Sequence, residues 1–231
     1  MRILLIIALF FSCNLNAQTY LFGVVTGGST PPTTSVYKIV CDGNSLTFGT
    51  NYAEGSDSSY PKKLGVLLPI SRVINYGVSG QTTIDMINDY SSQIAPQYTA
   101  DTTSVLVAWE IGNDLYYTGN TDTCKNRIRR YCEYGQATGY LVLVGTAPHR
   151  GYSSNTSAGD SPSTYNLKLD TINTWLAANY TDFADKLVDF AGDTRLNDPN
   201  NTTYRDADKV HYIGAGYTLI AAAVRTKIDE L

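Results

Sequence analysis

Ser45 stands in the stretch Asp42-Gly43-Asn44-Ser45-Leu46-Thr47-Phe48-Gly49, between two glycines that permit a tight turn. A serine exposed there can attack a carbonyl with its own backbone N–H facing the same crevice, or it can cap a helix. A second stretch, Asn75-Tyr76-Gly77-Val78-Ser79-Gly80-Gln81-Thr82-Thr83, offers an unobstructed N–H at Gly80, or a turn glycine with a threonine cap. A third, Glu110-Ile111-Gly112-Asn113-Asp114, carries in Asn113 an amide donor that can hold a developing negative charge, or an Asx turn. Near the C-terminus lies Asp208-Lys209-Val210-His211, and the chain has only 2 histidines. A neutral imidazole is the natural base for a serine hydroxyl, and a carboxylate three residues earlier can curl back to fix its tautomer. The competing base is His149, in Ala147-Pro148-His149-Arg150.

These residues matter only if something positions them together. Five short apolar or β-branched runs precede or separate them: Val36 to Cys41, Arg72 to Tyr76, Ser104 to Trp109, Tyr140 to Val144 and Lys186 to Phe190. The intervening stretches Pro61 to Leu68, Thr82 to Ile94, Thr121 to Thr138, Ser163 to Asn179 and Gly214 to Leu231 carry helical patterns. In the last of these Ile220, Ala221, Val224 and Ile228 recur at helical spacing. Buried strands alternating with helices imply a parallel sheet covered on both faces, an α/β fold with right-handed crossovers. In such a sheet, ligands bind beyond the carboxyl ends of the strands, where these candidate residues fall.

Each signal is weak alone, but nucleophile, base, orienting acid and oxyanion donors at four separate strand ends form a set. The sequence resembles the SGNH hydrolases, the GDSL-type esterase and lipase superfamily, over Asp42 to His211. The resemblance implies Ser45 as nucleophile, Gly80 and Asn113 as oxyanion donors beside the Ser45 N–H, and Asp208 and His211 as the remaining catalytic pair. It also implies a flavodoxin-like three-layer α/β/α sandwich with a five-stranded parallel sheet. The chemistry it implies is acyl transfer to water, for which no cofactor or metal is expected. One departure stands out: the family reads Gly-Asp-Ser at the nucleophile, whereas this chain reads Gly43-Asn44-Ser45, with Asp42 ahead of the glycine.

Composition narrows the alternatives. The chain has 231 residues, 43% hydrophobic and 16% charged, with a net charge of −4, and is too apolar to be disordered. No basic block exists to meet a phosphate backbone, which excludes a nucleic-acid partner. Arg2 followed by the apolar run Ile3 to Phe11 and a small residue at Ala17 reads as a signal peptide over residues 1–17. The expected location is secreted or periplasmic, without stable membrane insertion. A lipoprotein anchored through Cys13 is the alternative. Residues 18–35, rich in Gly, Pro, Ser and Thr, read as a linker or an edge segment with a short strand at Tyr20 to Val25. The hydrolase domain follows over 36–231. Cys41, Cys124 and Cys132 are an odd set, and the last two, eight residues apart on one helix, sit about 12 Å apart, beyond disulfide reach.

With 18 Tyr against 6 Phe, the chain is rich in rings that have a polar rim. Tyr116 and Tyr117 directly follow the Asn113 stretch, Tyr212 adjoins His211, and Tyr152 lies in the polar loop after His149. Such rings suit sugars. The expected substrate is therefore a small-molecule or carbohydrate ester carrying a short acyl group such as acetyl. A lipid or general carboxylesterase is the alternative, and a non-catalytic binding module of the same fold is the reading from another class.

Overall fold

The structure, a computed structural model, describes residues 36–50 and 58–231. The signal segment, Cys13, residues 18–35 and the strand expected at Tyr20 to Val25 lie outside the described residues.

Five parallel strands form one sheet: β1 (Tyr37–Gly43), β2 (Arg72–Asn75), β3 (Thr103–Trp109), β4 (Leu141–Gly145) and β5 (Lys186–Val188), in the order β2-β1-β3-β4-β5. Alternate residues of a strand point to opposite faces, and here both faces are apolar because helices cover both. Val40, Leu106, Ala108, Val142 and Val144 pack on one face. They meet α3 (Thr83–Asp89), α5 (Thr121–Thr138) and α6 (Pro162–Asn179) through Met86, Ile128, Tyr131, Leu169 and Ile172. On the other face Ile39, Cys41, Val105, Val107, Leu143 and Val188 meet α2 (Tyr60–Leu67) and α8 (Gly214–Ile228) through Leu64, Tyr217, Ile220, Ala221 and Val224. The result is the expected three-layer sandwich. Cys41, Cys124 and Cys132 are free and buried in these two cores.

The long helices begin and end where local chemistry says they should. Asn120 caps α5 by accepting from the Thr123 N–H, and Gly139 closes it with a left-handed φ of 110°. Ser161 caps α6 ahead of Pro162, and Thr82 with Asp85 forms a capping box on α3. The helix expected to run on to Ile94 instead stops at Asp89 and continues as a π-helical turn, Tyr90–Ile94. Pro96 follows, and its missing N–H and its ring prevent regular continuation. Three short helices had no helical period to announce them: α1 (Ser45–Phe48), α4 (Gly112–Thr118) and α7 (Thr194–Asn197). Among the described residues no helix is long and apolar enough to cross a membrane.

The strand order places the topological switch between β1 and β3. Their carboxyl ends lie side by side, with Gly43 opposite Trp109. The chain leaves them toward opposite faces of the sheet, which opens a crevice at the strand tips.

At the tip of β1 the carboxyl of Asp42 is buried, accepting from the Tyr131 hydroxyl of α5 and from the Gly43 N–H at 2.8 Å. Burial pushes its pKa up to about 7, and Asp89 adds to this, against the pull of its two donors. The folded chain therefore holds a proton that the unfolded chain releases above about 3.8, so stability falls as pH rises between 3.8 and about 7. Thermal melts of Asp42→Asn, which cannot titrate, are expected to show a flatter decline of Tm than wild type across that window. Glu110, raised to about 8 mainly by burial, leaves a residual slope of the same sign. Parallel wild-type and variant profiles would show that Asp42 is ionised in the fold.

Candidate active site

Ser45 is the first residue of α1, immediately beyond β1. Asn44 caps this short helix: its side-chain carbonyl accepts from the Leu46 N–H at 2.8 Å, and its backbone carbonyl accepts from Thr47 and Phe48. The N–H groups of a helix's first turn have no partner within the helix, and this cap takes those of Leu46, Thr47 and Phe48 but not that of Ser45, which lines the cleft. Ser45 itself is 7% exposed, enough to present its hydroxyl and little more.

His211 lies 166 residues further on, with its Nε2 2.8 Å from the Ser45 Oγ. Its Nδ1 is 2.5 Å from the Asp208 Oδ2. The loop that holds them is a closed turn. The Asp208 Oδ1 accepts from the Val210 and His211 N–H groups, and the Asp206 N–H donates to the His211 carbonyl. Lys209 takes the left-handed conformation at φ 60°, uncommon for a residue with a side chain, and this bends the loop so that Asp208 can reach its own neighbours. Burial alone would raise the pKa of Asp208, but the His211 ring and the two N–H donors outweigh it and hold it down to about 2. A carboxylate can only accept, so the Nδ1 of His211 carries the proton and, in the neutral ring, the Nε2 lone pair faces the serine hydroxyl. A hydroxyl so placed can pass its proton to the ring as the oxygen attacks an electrophile.

His149, the competing base, sits elsewhere. Its Nε2 meets the Asp170 Oδ1 of α6 at 2.7 Å, outside the cleft that holds Ser45.

That cleft, about 310 Å³, is lined by Ser45, Gly80, Asn113 and His211 together with Tyr116, Tyr117 and Tyr152. Gly80 has a left-handed φ of 84°, and a Cβ there would meet nothing within 4 Å. Backbone conformation and open space for a ligand, not packing, account for the glycine. Asn113, at the start of α4, has its amide fixed from both sides. Its Nδ2 donates to the Gln81 carbonyl at 2.9 Å, and its Oδ1 accepts from the Arg150 Nη1 at 3.0 Å. Arginine can only donate, which settles which end of the amide is which and leaves the second N–H of Nδ2 for the cleft.

The tyrosines divide. Tyr117 is 55% exposed and Tyr116 half-buried, their rings edge to face at 5.2 Å, and Tyr152 continues the wall 5.0 Å beyond Tyr116. Tyr212, expected as a substrate contact, is instead fully buried. Its hydroxyl donates to the Leu196 carbonyl, and the Arg205 guanidinium lies over its ring at 3.9 Å. Neighbouring residues of this hairpin-like loop point to opposite sides, so the position that turns His211 toward the cleft turns Tyr212 into the core. Arg205 in turn donates to the Val210 and His149 carbonyls, so the pair supports the His211 loop from beneath.

Three further residues carry no motif. Glu110, buried at the tip of β3, accepts from the Asn44 side-chain amide and from the Asp114 N–H at 2.8 Å. At position 44 the asparagine amide thus supplies a donor to Glu110 that an ionised aspartate would lack. Asp114, fully buried, is held by the Arg127 guanidinium at 2.6 Å. Arg150, 4% exposed, packs so closely over Gly112 that a Cβ there would lie 2.1 Å from its Nη2. That approach is the one available signal, a glycine before the asparagine, but it does not say which side chain needs the space.

Comparison with known proteins agrees with this fold. Solved structures of similar fold include a member of the lipolytic G-D-S-L family from Veillonella parvula, 20% identical, TM-score 0.70, covering 85% of this chain and all of that one. Another is the lipase/acylhydrolase from Enterococcus faecalis, 17% identical, TM-score 0.65, covering 84% and 96%. A psychrotrophic esterase from Pseudoalteromonas, in a structure inhibited by monoethylphosphonate, is 14% identical with TM-score 0.61, covering 84% and 97%. At these identities the likeness speaks for the fold. No curated protein matches the sequence. The model of the GDSL-like lipase/acylhydrolase family matches residues 41–219, most of the chain, and with the sheet order and the serine at the β1 tip in place, the chain belongs to that family and is a serine ester hydrolase.

Proposed function

We propose that Ser45, His211 and Asp208 form the catalytic triad of a secreted esterase that removes short acyl groups, acetyl above all, from carbohydrate. The observation that carries the triad is the continuous hydrogen-bonded line from Asp208 through His211 to the Ser45 hydroxyl, 2.5 Å and 2.8 Å. His211 takes the hydroxyl proton as Oγ attacks the ester carbonyl. The N–H groups of Ser45 and Gly80 and the Nδ2 of Asn113 receive the oxyanion. His211 then protonates the departing alcohol, and water, activated by the same ring, releases the acid from the acyl-enzyme. Arg2, the apolar run to Phe11 and Ala17 support export.

The cleft wall supports the sugar reading. Tyr116, Tyr117 and Tyr152 offer apolar faces with hydroxyl rims, while Val210 is the single aliphatic side chain among the lining residues. A long acyl chain needs a continuous aliphatic wall to leave water, about 0.8 kcal/mol per buried CH₂. A panel of acetylated oligosaccharides beside nitrophenyl esters of rising acyl length decides the substrate. Acetylated sugars are expected to give the highest kcat/KM, with a fall beyond about four acyl carbons. A kcat/KM that climbs steadily with chain length would make the enzyme a lipid or general carboxylesterase.

A further inference from the structure

Arg150 sits where the oxyanion donor Asn113 meets the tyrosine wall. Its Nη1 donates both to the Asn113 Oδ1 at 3.0 Å and to the Tyr152 hydroxyl at 2.9 Å. The guanidinium is buried at the cleft floor against Gly112, with Glu110 as its nearby acid. Its main chain is anchored separately: the Arg150 N–H donates to the Asn166 Oδ1 and its carbonyl accepts from the Asn166 Nδ2, each at 3.0 Å. The fork is thus fixed at both ends, from α6 through the backbone and from α4 through the side chain.

We propose that Arg150 is a positioning residue for the oxyanion hole, acting through Asn113. A cation donating to an amide oxygen draws electron density from the amide nitrogen and strengthens the remaining N–H as a donor. The same bond forbids rotation of the amide, which would turn its oxygen toward the oxyanion. Because Nη1 is shared with Tyr152, the arginine also ties the donor to the tyrosine wall of the cleft. The benefit appears only when negative charge develops on the substrate oxygen, so it belongs to kcat and not to KM. This rests on Asn113 being an oxyanion donor.

A double-mutant cycle on nitrophenyl acetate tests it, using Arg150→Gln and Asn113→Ala singly and together. Arg150→Lys runs alongside; it keeps the charge and most of the stem but cannot hold both partners with one planar fork. Thermal melts of every variant show which ones fold, and the lysine variant supplies the readout if glutamine does not. In the otherwise wild-type enzyme, either Arg150 substitution is expected to lower kcat about tenfold or more with KM within about twofold. In the Asn113→Ala background the same substitution is expected to cost less than about twofold, since its route is gone. An equal loss in both backgrounds, with Asn113→Ala itself strongly impaired, would overturn the coupling and leave the oxyanion role of Asn113 standing. Near-wild-type turnover by Asn113→Ala would remove the premise and the proposal with it. Full turnover by both Arg150 variants would show that the arginine only fills space.

Discussion

Replacing Ser45 with Ala is expected to lower kcat on a nitrophenyl acetate ester by ~10⁴–10⁶ while leaving the thermal melt within a few degrees of wild type. The hydroxyl is the attacking group. Truncation removes its hydrogen bond to His211 and leaves the methyl group in place, so the surrounding packing is kept. Replacing His211 with Ala is expected to cost a similar factor, because the two act as one unit and their losses do not add. Asp208→Asn should be less severe than His211→Ala. The asparagine can still accept from the Val210 and His211 N–H groups that close the loop, but its amide disturbs the tautomer of the ring. His149→Ala is the control and is expected to turn over at close to the wild-type rate, since its ring is engaged with Asp170 and stands outside the cleft. A dead His149 variant beside an active His211 variant would reverse the assignment.

Asn113 gives the second large effect. Loss of one oxyanion donor costs ~10²–10³ in kcat, about 3–4 kcal/mol, and Asn113→Ala is expected to fall in that range with KM little changed. Asn113→Asp should be at least as damaging. Its carboxylate would retain the arginine as a partner, so the fold would hold, yet it offers no N–H to the Gln81 carbonyl or to the oxyanion and places charge against the developing charge. Kinetics and melts on both variants separate this from a purely structural asparagine. If Asn113 merely closed a turn, Asn113→Asp would stay active and Asn113→Ala would show itself as a lowered Tm.

The sheet and its long helices were legible in the sequence because their signals are local. Alternating β-branched runs, helical spacing in α8, and the Pro and Ser at the head of α6 each report on a few neighbouring residues. The short helices were not, since four to seven residues carry too little period to read, and α4 is held by Arg150 and Tyr165 contacts instead of by its own pattern. The residues of the cleft are legible from strand-end position and motif. Tyr212 adjoins His211 in sequence but not in the site, because successive side chains of that loop point to opposite sides and its own enters the core.

By itself the sequence determined the layered α/β architecture, the strand tips as the place of chemistry, and which serine, asparagine and glycine would gather there with one of two histidines. Those are properties of short stretches, and each stretch carries its own period or turn chemistry. Only the tertiary structure decided between the two histidines, sent Tyr212 into the core, and brought Arg150 and Glu110 under the site. Those outcomes depend on which surfaces face one another once the strands are ordered β2-β1-β3-β4-β5. Asn44 and Glu110, 66 residues apart, meet because their strands are neighbours with tips in register, and no stretch of either strand records the other.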